Sequence, residues 1–317
     1  DLFKEVGNHV IKPLKEIINK SDTLFISPDA VLNLLPFAAL SSHNSEKLLG
    51  EAFDIRILTT GRELLDINKK IDKNFKKSLV IANPTFDLSR KVNEFQYSNE
   101  SKNKSQQRSR YLKEKQWPQL PYTAIEGEAI NKLIKGQLLT ADNATSIAIQ
   151  KESSPKVIHI ATHAEFLGIE EEIENPLLKS YIVLAGANEP EINEDDDGYL
   201  TALEITKLDW SGTELVVISA CESGKGEIQN GEGIYGLKRA IAVAGSRSSL
   251  LSLWKVDDKA TADFMEKFYQ KLKVGMGRSE ALAETQKEFK NHSITRFRHP
   301  YYWAAFQLSG DWRPIDF

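Results

Sequence analysis

Cysteine is almost absent from this sequence of 317 residues, which contains Cys221 alone. A single cysteine excludes a scaffold held by disulfides, because such scaffolds need cysteines in pairs. Long hydrophobic runs are also lacking, and none approaches the ~20 residues that a helix needs to cross a bilayer. The chain opens at Asp1 with no visible signal peptide, which together with the lone thiol predicts a cytoplasmic protein that binds no membrane. It also begins without methionine, which indicates a fragment or a processed form.

An excess of charge of one sign is missing as well, since 41 Lys and Arg residues and 45 Asp and Glu residues leave a net charge of −4. This balance lacks the basic footprint of nucleic-acid binding, so we expect no nucleic-acid partner. What the sequence does have is an ordinary globular composition, with 41% hydrophobic and 27% charged residues. A chain of this length buries a sizeable core without a disulfide or a metal, which excludes global disorder.

Short apolar runs alternate along the chain with segments of helical periodicity. Strands that are apolar throughout are typical of a parallel sheet buried on both faces, so the sequence predicts an α/β fold with a mostly parallel sheet. Strands are predicted at 23–27, 78–83, 156–161, 181–184, 215–220, 248–253 and 302–308, and helices at 3–18, 124–134, 232–244, 261–272 and 279–289.

One long segment, residues 87–115, breaks this rhythm because Asn, Ser, Gln, Lys and Arg dominate it. Such a composition is typical of an exposed loop. We therefore predict an N-terminal subdomain over 1–115 and a second subdomain over 116–317. The acidic run 189–197 is interpreted as a surface loop, with calcium binding as an alternative that lacks the EF-hand spacing.

Two predicted strands lead directly into side chains that can do covalent chemistry. His163 follows Val-Ile-His-Ile-Ala-Thr and Cys221 follows Val-Val-Ile-Ser-Ala, with a spacing of 58 residues (221 − 163) that leaves room for one intervening strand. Functional residues gather at the carboxyl ends of parallel strands. A thiol beside an imidazole forms a nucleophile with its base, and the backbone N–H groups of Cys221 and Ala164 could form an oxyanion hole.

These residues also have plainer interpretations. A lone cysteine after an apolar strand is usually a small buried hydrophobe. His159 and His163 are four apart on a strand, about 13 Å from each other, and cannot share a metal, so His159 is interpreted as a packed core histidine. Gly231, Gly233 and Gly236 spell G-x-G-x-x-G, but they lie too far beyond the strand for a dinucleotide site and are interpreted as shaping a loop.

Several short motifs in a fixed order carry a resemblance to a known family. They are Ile26 to Asp29, Leu34 to Leu40, Leu120-Pro121 with Glu126, His159 to His163, Ser219 to Gly224 with Gly231 to Gly233, Ser252 to Asp258, and Pro300 to Phe306 with Gly310-Asp311. Together they resemble the CHAT domain family, caspase-like cysteine peptidases related to separases. The resemblance extends over nearly the whole chain.

The resemblance implies a caspase-like three-layer α/β/α sandwich, preceded by a degenerate caspase-like half. It also implies a dyad in which His163 is the general base and Cys221 the nucleophile, with no cofactor and no metal. One departure is Ala164, where the family usually has glycine. If this residue needed a positive φ, the added methyl group would alter the oxyanion geometry.

Two acidic residues follow the tryptophan motif. Relatives such as separases cut after arginine and use an acidic pocket near this position. Asp257 and Asp258 are therefore candidates for a pocket that binds a basic P1 side chain. The alternative is that one of them caps the helix predicted to begin near Ala260.

These observations predict a cysteine endopeptidase that cleaves a protein substrate through a thioester. We expect a regulatory partner or an upstream repeat domain to switch it on. A non-proteolytic scaffold of the same fold, kept for binding other proteins, is the alternative. An unrelated α/β hydrolase is disfavoured because the chain lacks a G-x-S-x-G motif.

Overall fold

The computed structural model describes residues 2–18, 20–42, 47–67, 76–87, 115–166, 175–193, 195–222 and 232–317. The strands in these ranges are β1 (Thr23–Ile26), β2 (Asp54–Ile57), β3 (Leu79–Pro84), β4 (Gln137–Ala141), β5 (Val157–Phe166), β6 (Ser180–Val183), β7 (Tyr199–Thr201), β8 (Leu215–Glu222), β9 (Ser248–Ser252) and β10 (Phe306–Gly310). The α-helices are α1 (Leu2–Val10), α2 (Lys15–Ile18), α3 (Leu49–Ala52), α4 (Glu63–Asp66), α5 (Pro121–Ile134), α6 (Ser146–Gln150), α7 (Ala202–Ile205), α8 (Glu232–Val243), α9 (Asp258–Lys273) and α10 (Arg278–Lys290). Short 3-10 helices lie at Lys12–Leu14, Ala30–Leu34, Phe37–Ala39, Pro176–Leu178, Thr295–Arg298 and Pro300–Tyr302.

The described strands form one sheet in the order β1-β2-β10-β9-β8-β5-β3-β4, with β6 and β7 attached beside β5. The strands β9, β8, β5, β3 and β4 run parallel to one another. At β10 the direction reverses, and β10, β2 and β1 run the other way. The mostly parallel sheet predicted from the apolar strands is confirmed.

Helices cover both faces of this sheet. One core cluster joins the sheet to α5, α9 and α10, and a second joins the opposite face to α6, α7 and α8. The strand β5 serves both clusters, because Val157 faces the first and Ile158 the second. Such alternation on a fully buried strand explains the continuous apolar runs of the sequence. The three-layer α/β/α arrangement is therefore confirmed.

The helix α5 packs unusually close to β3, and this contact positions the segment that leads into it. A Cβ placed on Gly127 would lie 2.4 Å from the Cβ of Ala82, a distance that only glycine allows. The helix begins with Pro121 in its first turn, and Lys135 ends it in the left-handed conformation. The chain just before Pro121 is thereby held against the end of the sheet.

Several elements differ from the sequence prediction. The helix predicted over 3–18 is interrupted at Lys12–Leu14, where Pro13 cannot supply a backbone donor. The last strand begins at Phe306, after a 3-10 helix, and not at Tyr302. The short strands β2, β4 and β7 and the helices α6 and α7 were not predicted, because three to five residues leave too little periodicity.

The division at residue 115 stays a prediction, and most of the polar segment 87–115 lies outside the described residues. The sheet takes strands from both sides of that position. The strand β3 lies between β4 and β5, while β1 and β2 join the sheet through β10. Among the described helices, none has the length and apolar character needed to cross a membrane.

Candidate functional site

The register of β5 and β8 brings the two candidate residues together. His163 and Cys221 are Cα partners in the parallel ladder between these strands. Register partners of adjacent strands lie on the same face of a sheet, with the strands about 4.8 Å apart. β5 and β8 are adjacent in the sheet, although the spacing of 58 residues (221 − 163) between His163 and Cys221 in the sequence left room for an intervening strand.

His163 lies inside a strand and not beyond its end. The strand was predicted to stop at Ala161, but β5 continues to Phe166 because β6 pairs antiparallel with its second half, His163 opposite Val183. The partner of its first half on that side is β3, which pairs only as far as Ala161. Because His163 is paired with neighbouring strands on both sides, its backbone is held in place, which favours precise positioning of its imidazole.

Two aromatic rings enclose the His163 imidazole. Phe86, just after β3, has its ring centroid 5.3 Å from that of His163, and the Trp117 ring lies 5.2 Å away. The His163 residue has 0% relative exposure. Its Nε2 atom lies 2.8 Å from the backbone carbonyl oxygen of Pro118. The segment leading into α5 thus supplies both a ring and a hydrogen-bond acceptor.

This contact settles the tautomer of the neutral ring. A carbonyl oxygen can only accept, so the Nε2 atom of His163 must carry the proton and donate it. The Nδ1 atom then presents its lone pair, and it is buried without a hydrogen-bond partner among the atoms that the structure describes. A buried, unpaired acceptor is costly, so such an atom calls for an explanation.

Burial lowers the pKa of His163 below its ordinary value, and the nearby Lys255 ammonium lowers it further. The bond to Pro118 and the Glu165 carboxylate act in the opposite direction without restoring the ordinary value. Glu165 is itself buried and is bonded by the Tyr181 hydroxyl and the Lys115 ammonium. The lowered pKa keeps the imidazole neutral near pH 7, the state that a general base needs.

The carbonyl that precedes Cys221 is also held. The hydroxyl of Ser252, at the end of β9, donates to the backbone carbonyl of Ala220. This bond ties the end of β8 to β9 next to the candidate nucleophile. Of the three glycines in the G-x-G-x-x-G pattern, Gly231 lies outside the described residues, and Gly233 and Gly236 lie within α8.

Ala164 does not have the positive φ that would make alanine strained at this position. It lies in β5 between Glu222 of β8 and Ile182 of β6, and the non-glycine residues with positive φ in the described chain are elsewhere. Its side chain packs in the cluster on the opposite face from Val157. An alanine is therefore tolerated where the family usually has glycine.

His159 occupies a different environment on the same strand. Its Nε2 lies 3.0 Å from Oε1 of Glu126 on α5, and its Nδ1 lies 3.2 Å from the hydroxyl of Tyr269 on α9. All three residues are buried. The interpretation of His159 as a packed, hydrogen-bonded core residue is confirmed.

The two acidic residues after the tryptophan motif take different roles. Asp257 is the N-cap of α9 and accepts from the backbone N–H of Ala260 at 3.0 Å, which is the capping alternative. Asp258 is half-buried, and burial together with Glu126 and Asp257 raises its pKa to about 6, while Lys255 opposes the rise. Lys255 therefore acts electrostatically on both Asp258 and His163.

The acidic run 189–197 contains one buried residue with a structural role. Asp196 accepts from the Ser146 hydroxyl at 2.8 Å and from the backbone N–H of Ile147 at 3.0 Å, at the start of α6. Within the described ranges, no three His, Cys, Asp or Glu side chains come together as a metal site.

Sequence reasoning missed the groups that surround His163. Trp117, Pro118 and Phe86 carry no pattern that announces a contact with a histidine 45 or more residues away. The Pro118 carbonyl in particular is a backbone group, which has no sequence signature. The one available signal was position, since Pro118 lies two residues before the motif Leu120-Pro121.

The family model that describes CHAT domains matches residues 1–311 of this chain. The chain belongs to the CHAT domain family. The resemblance noted in the sequence is thus confirmed, and the motifs around His163 and Cys221 are those of a family member.

Two curated relatives carry the same name. Tetratricopeptide repeat protein 28 of Homo sapiens is 25% identical over 323 residues, which cover 92% of this chain and 12% of that protein. Tetratricopeptide repeat protein 28 of Mus musculus is 27% identical over 216 residues, covering 61% of this chain and 9% of that protein. The CHAT-domain chain therefore spans only a small part of these relatives.

Solved structures of cysteine proteases also match. The Arg specific cysteine proteinase gingipain R aligns with a TM-score of 0.47 and 8% identity, over 88% of this chain and 58% of that chain. The separase of the Saccharomyces cerevisiae separase-securin complex aligns with a TM-score of 0.45 and 15% identity, over 88% of this chain and 15% of that chain.

Proposed function

We propose that this CHAT domain is a cysteine endopeptidase with His163 as its base and Cys221 as its nucleophile. The observation that carries the proposal is the register that pairs these residues on adjacent strands. The Nδ1 atom of the buried, neutral His163 has no hydrogen-bond partner among the described residues, which supports the proposal because a base needs an open lone pair.

The reaction follows from these two groups. The Cys221 thiol gives its proton to Nδ1 of His163 as the sulfur attacks the carbonyl carbon of the substrate. The C–N bond breaks as the imidazolium returns that proton to the leaving amine, and a thioester remains. Water then gives a proton to Nδ1 while its oxygen attacks the thioester. The C–S bond breaks as the imidazolium returns that proton to the sulfur, which restores the Cys221 thiol and the neutral imidazole.

Backbone N–H groups would stabilise the negative oxygen that forms during each attack. We assign this role to the N–H groups of Cys221 and Ala164. Cys221 is the register partner of His163, and Ala164 is the next residue along β5. One such donor is typically worth about 10² to 10³ in rate. Ala164 lies in a strand and has no positive φ, so its methyl group causes no backbone strain that would prevent its N–H from acting as an oxyanion donor.

Asp258 is the better candidate for a pocket that binds a basic P1 side chain. Burial, followed by the Glu126 and Asp257 carboxylates, raises the pKa of the half-buried Asp258 to about 6, so this carboxyl has two negative neighbours. A guanidinium or ammonium group would neutralise this negative charge and form charge-assisted bonds. Asp257 is already engaged as the cap of α9.

A matched pair of variants tests this assignment. Asp258→Asn should reduce kcat/KM for arginine and lysine substrates while sparing neutral P1 residues. Asp257→Asn should leave both the cleavage of basic substrates and the stability nearly unchanged, because asparagine caps a helix about as well as aspartate. Equal cleavage of basic substrates by Asp258→Asn and the wild type would remove Asp258 from the pocket.

The partners that we propose are a protein substrate and a regulatory element. The relatives are named tetratricopeptide repeat proteins, and the chain corresponds to 12% of the human one. A repeat domain that senses a partner and switches on the peptidase domain would fit this arrangement.

The deciding experiment is cleavage of a peptide library by the wild type and by Cys221→Ser. The proposal expects products from the wild type alone, together with one molar equivalent of label on Cys221 from a peptide chloromethyl ketone. Absence of both products and label in a folded wild type, also when the repeat-containing protein is supplied, would favour the scaffold alternative.

A further inference from the structure

Asn188 lies in the turn after β6 and bonds to the segment that faces His163. The backbone N–H of Trp117 donates to Oδ1 of Asn188 at 2.7 Å, and Nδ2 of Asn188 donates to the carbonyl oxygen of Trp117 at 3.2 Å. One side-chain amide therefore holds both main-chain groups of the residue before Pro118.

The same residue also bonds to the chain on the other side of the imidazole. The backbone N–H of Asn188 donates to the carbonyl oxygen of Phe86 at 3.1 Å. Its Nδ2 donates to Oδ1 of Asp87 at 2.9 Å. Phe86 and Trp117 are the two residues whose rings contact His163, so Asn188 joins the backbones of both.

These bonds constrain the carbonyl that accepts from His163. The Trp117 carbonyl belongs to the peptide plane that ends at the nitrogen of Pro118, so fixing it fixes that plane. The proline ring then holds its own φ near −65°. A single torsion, ψ of Pro118, separates the clamped plane from the oxygen that lies 2.8 Å from Nε2 of His163.

Two other contacts hold this segment at different points. The Trp117 indole N–H donates to the Tyr199 hydroxyl at 3.0 Å, which fixes the ring. The amide of Gln119, placed with its nitrogen toward the Pro84 carbonyl and its oxygen toward the Phe86 N–H, fixes the chain beyond Pro118. Neither acts on the peptide plane before Pro118, which is the contribution of Asn188.

We propose that Asn188 is a positioning residue, which orients the Pro118 carbonyl and both flanking rings so that His163 keeps its proton on Nε2 and its lone pair on Nδ1. This inference rests on the proposed role of His163 as the base. It assigns to the turn after β6 a part in the site that no motif of the sequence indicates.

The test compares Asn188→Ala with Asn175→Ala. Asn175 also accepts from a backbone N–H, that of Leu177 at 3.0 Å, and no hydrogen bond among the described residues joins it to the segment before α5. The first readout is ¹⁵N NMR of the His163 ring, which reports the tautomer directly. The second is the division of any rate loss between kcat and KM.

We expect Asn188→Ala to mix the two tautomers of His163 and to lower kcat by on the order of 10- to 100-fold, with a smaller change in KM. Asn175→Ala should leave both unchanged. A folded Asn188→Ala variant with the wild-type tautomer and kcat would overturn the proposal.

A double variant keeps the test decisive if Asn188→Ala does not fold. Exchanging the two side chains, with Asp87→Asn and Asn188→Asp together, retains an acceptor for the Trp117 N–H and a bond between positions 87 and 188. It loses the donor to the Trp117 carbonyl. An intermediate loss in kcat and an intermediate tautomer mixture are expected, and wild-type values for both would again overturn the proposal.

The NMR readout separates this inference from the proposed function. A changed tautomer in Asn188→Ala, in a protein without peptidase activity, would support the positioning role and refute the peptidase. Peptidase activity with an unchanged tautomer would do the reverse.

Discussion

His159 and His163 lie on the same strand and the same face, four residues apart, and both are fully buried. His159 has a partner on each ring nitrogen, the carboxylate of Glu126 and the hydroxyl of Tyr269. His163 has a partner on Nε2, and its Nδ1 is unpaired within the described part of the chain.

The comparison shows how one residue type serves two purposes. A fully bonded buried imidazole joins helices to a sheet, since each bond holds a different element. A buried imidazole with one bonded nitrogen leaves an unpaired acceptor, which under the proposed function would receive the proton of the Cys221 thiol. Burial does not distinguish these histidines, whereas the pairing of each ring nitrogen does.

The largest expected effect comes from replacing each histidine by glutamine. His163→Gln keeps a donor for the Pro118 carbonyl but has no base, so peptidase activity should fall by about 10² to 10⁴ with nearly unchanged stability. His159→Gln should lower the melting temperature and leave kcat per folded molecule intact. The contrast fails if His159→Gln reduces kcat as strongly as His163→Gln.

The next effect is the loss of stability in Glu126→Leu. This change leaves Nε2 of His159 buried without its partner, and we expect a loss of roughly 3 kcal/mol in urea denaturation. Glu128→Leu is the matched control, because Glu128 is exposed on the same helix. Equal stability of the two variants would show that the bond between Glu126 and His159 does not hold α5 to the sheet.

A smaller loss is expected from Tyr269→Phe, which removes the hydroxyl 3.2 Å from Nδ1 of His159. Leaving that nitrogen unpaired should cost about 1 kcal/mol, since the ring itself stays packed. Tyr122→Phe serves as control because Tyr122 is 38% exposed. The stability lost in Tyr269→Phe should add to that of Tyr122→Phe when the two are combined. Tyr269→Phe should cause no further loss in a variant that already lacks His159.

The last prediction concerns the pH at which activity is lost on acidification. Since burial and Lys255 lower the pKa of His163, the acid limb of kcat/KM should lie below pH 6.5, the ordinary histidine value. Activity is lost as pH falls through that limb, because the protonated ring is no longer a base. Lys255→Ala should move the limb to higher pH, whereas Lys259→Ala on the first turn of α9 should not. An unmoved limb in Lys255→Ala would mean that this cation does not act on His163.

Much of the fold followed from local patterns. The strands β3, β5, β8 and β9 each contain a short apolar run, which predicted them without knowledge of their partners. The lengths of β5 and β8 did depend on partners, because β6 and the ladder between them carried the strands past His163 and Cys221. Predicted boundaries failed where a neighbouring strand supplied the bonds.

The candidate site divides in the same way. The sequence by itself determined the fold class, the two residues that we propose as a dyad and the family to which the chain belongs. Only the tertiary structure decided that His163 and Cys221 are register partners, that the Pro118 carbonyl sets the tautomer of His163, and that Asn188 bonds the Trp117 carbonyl in the peptide before Pro118. The physical reason is that local patterns report a residue's own propensity and periodicity. A hydrogen bond to a distant main-chain group depends instead on how the strands and helices pack.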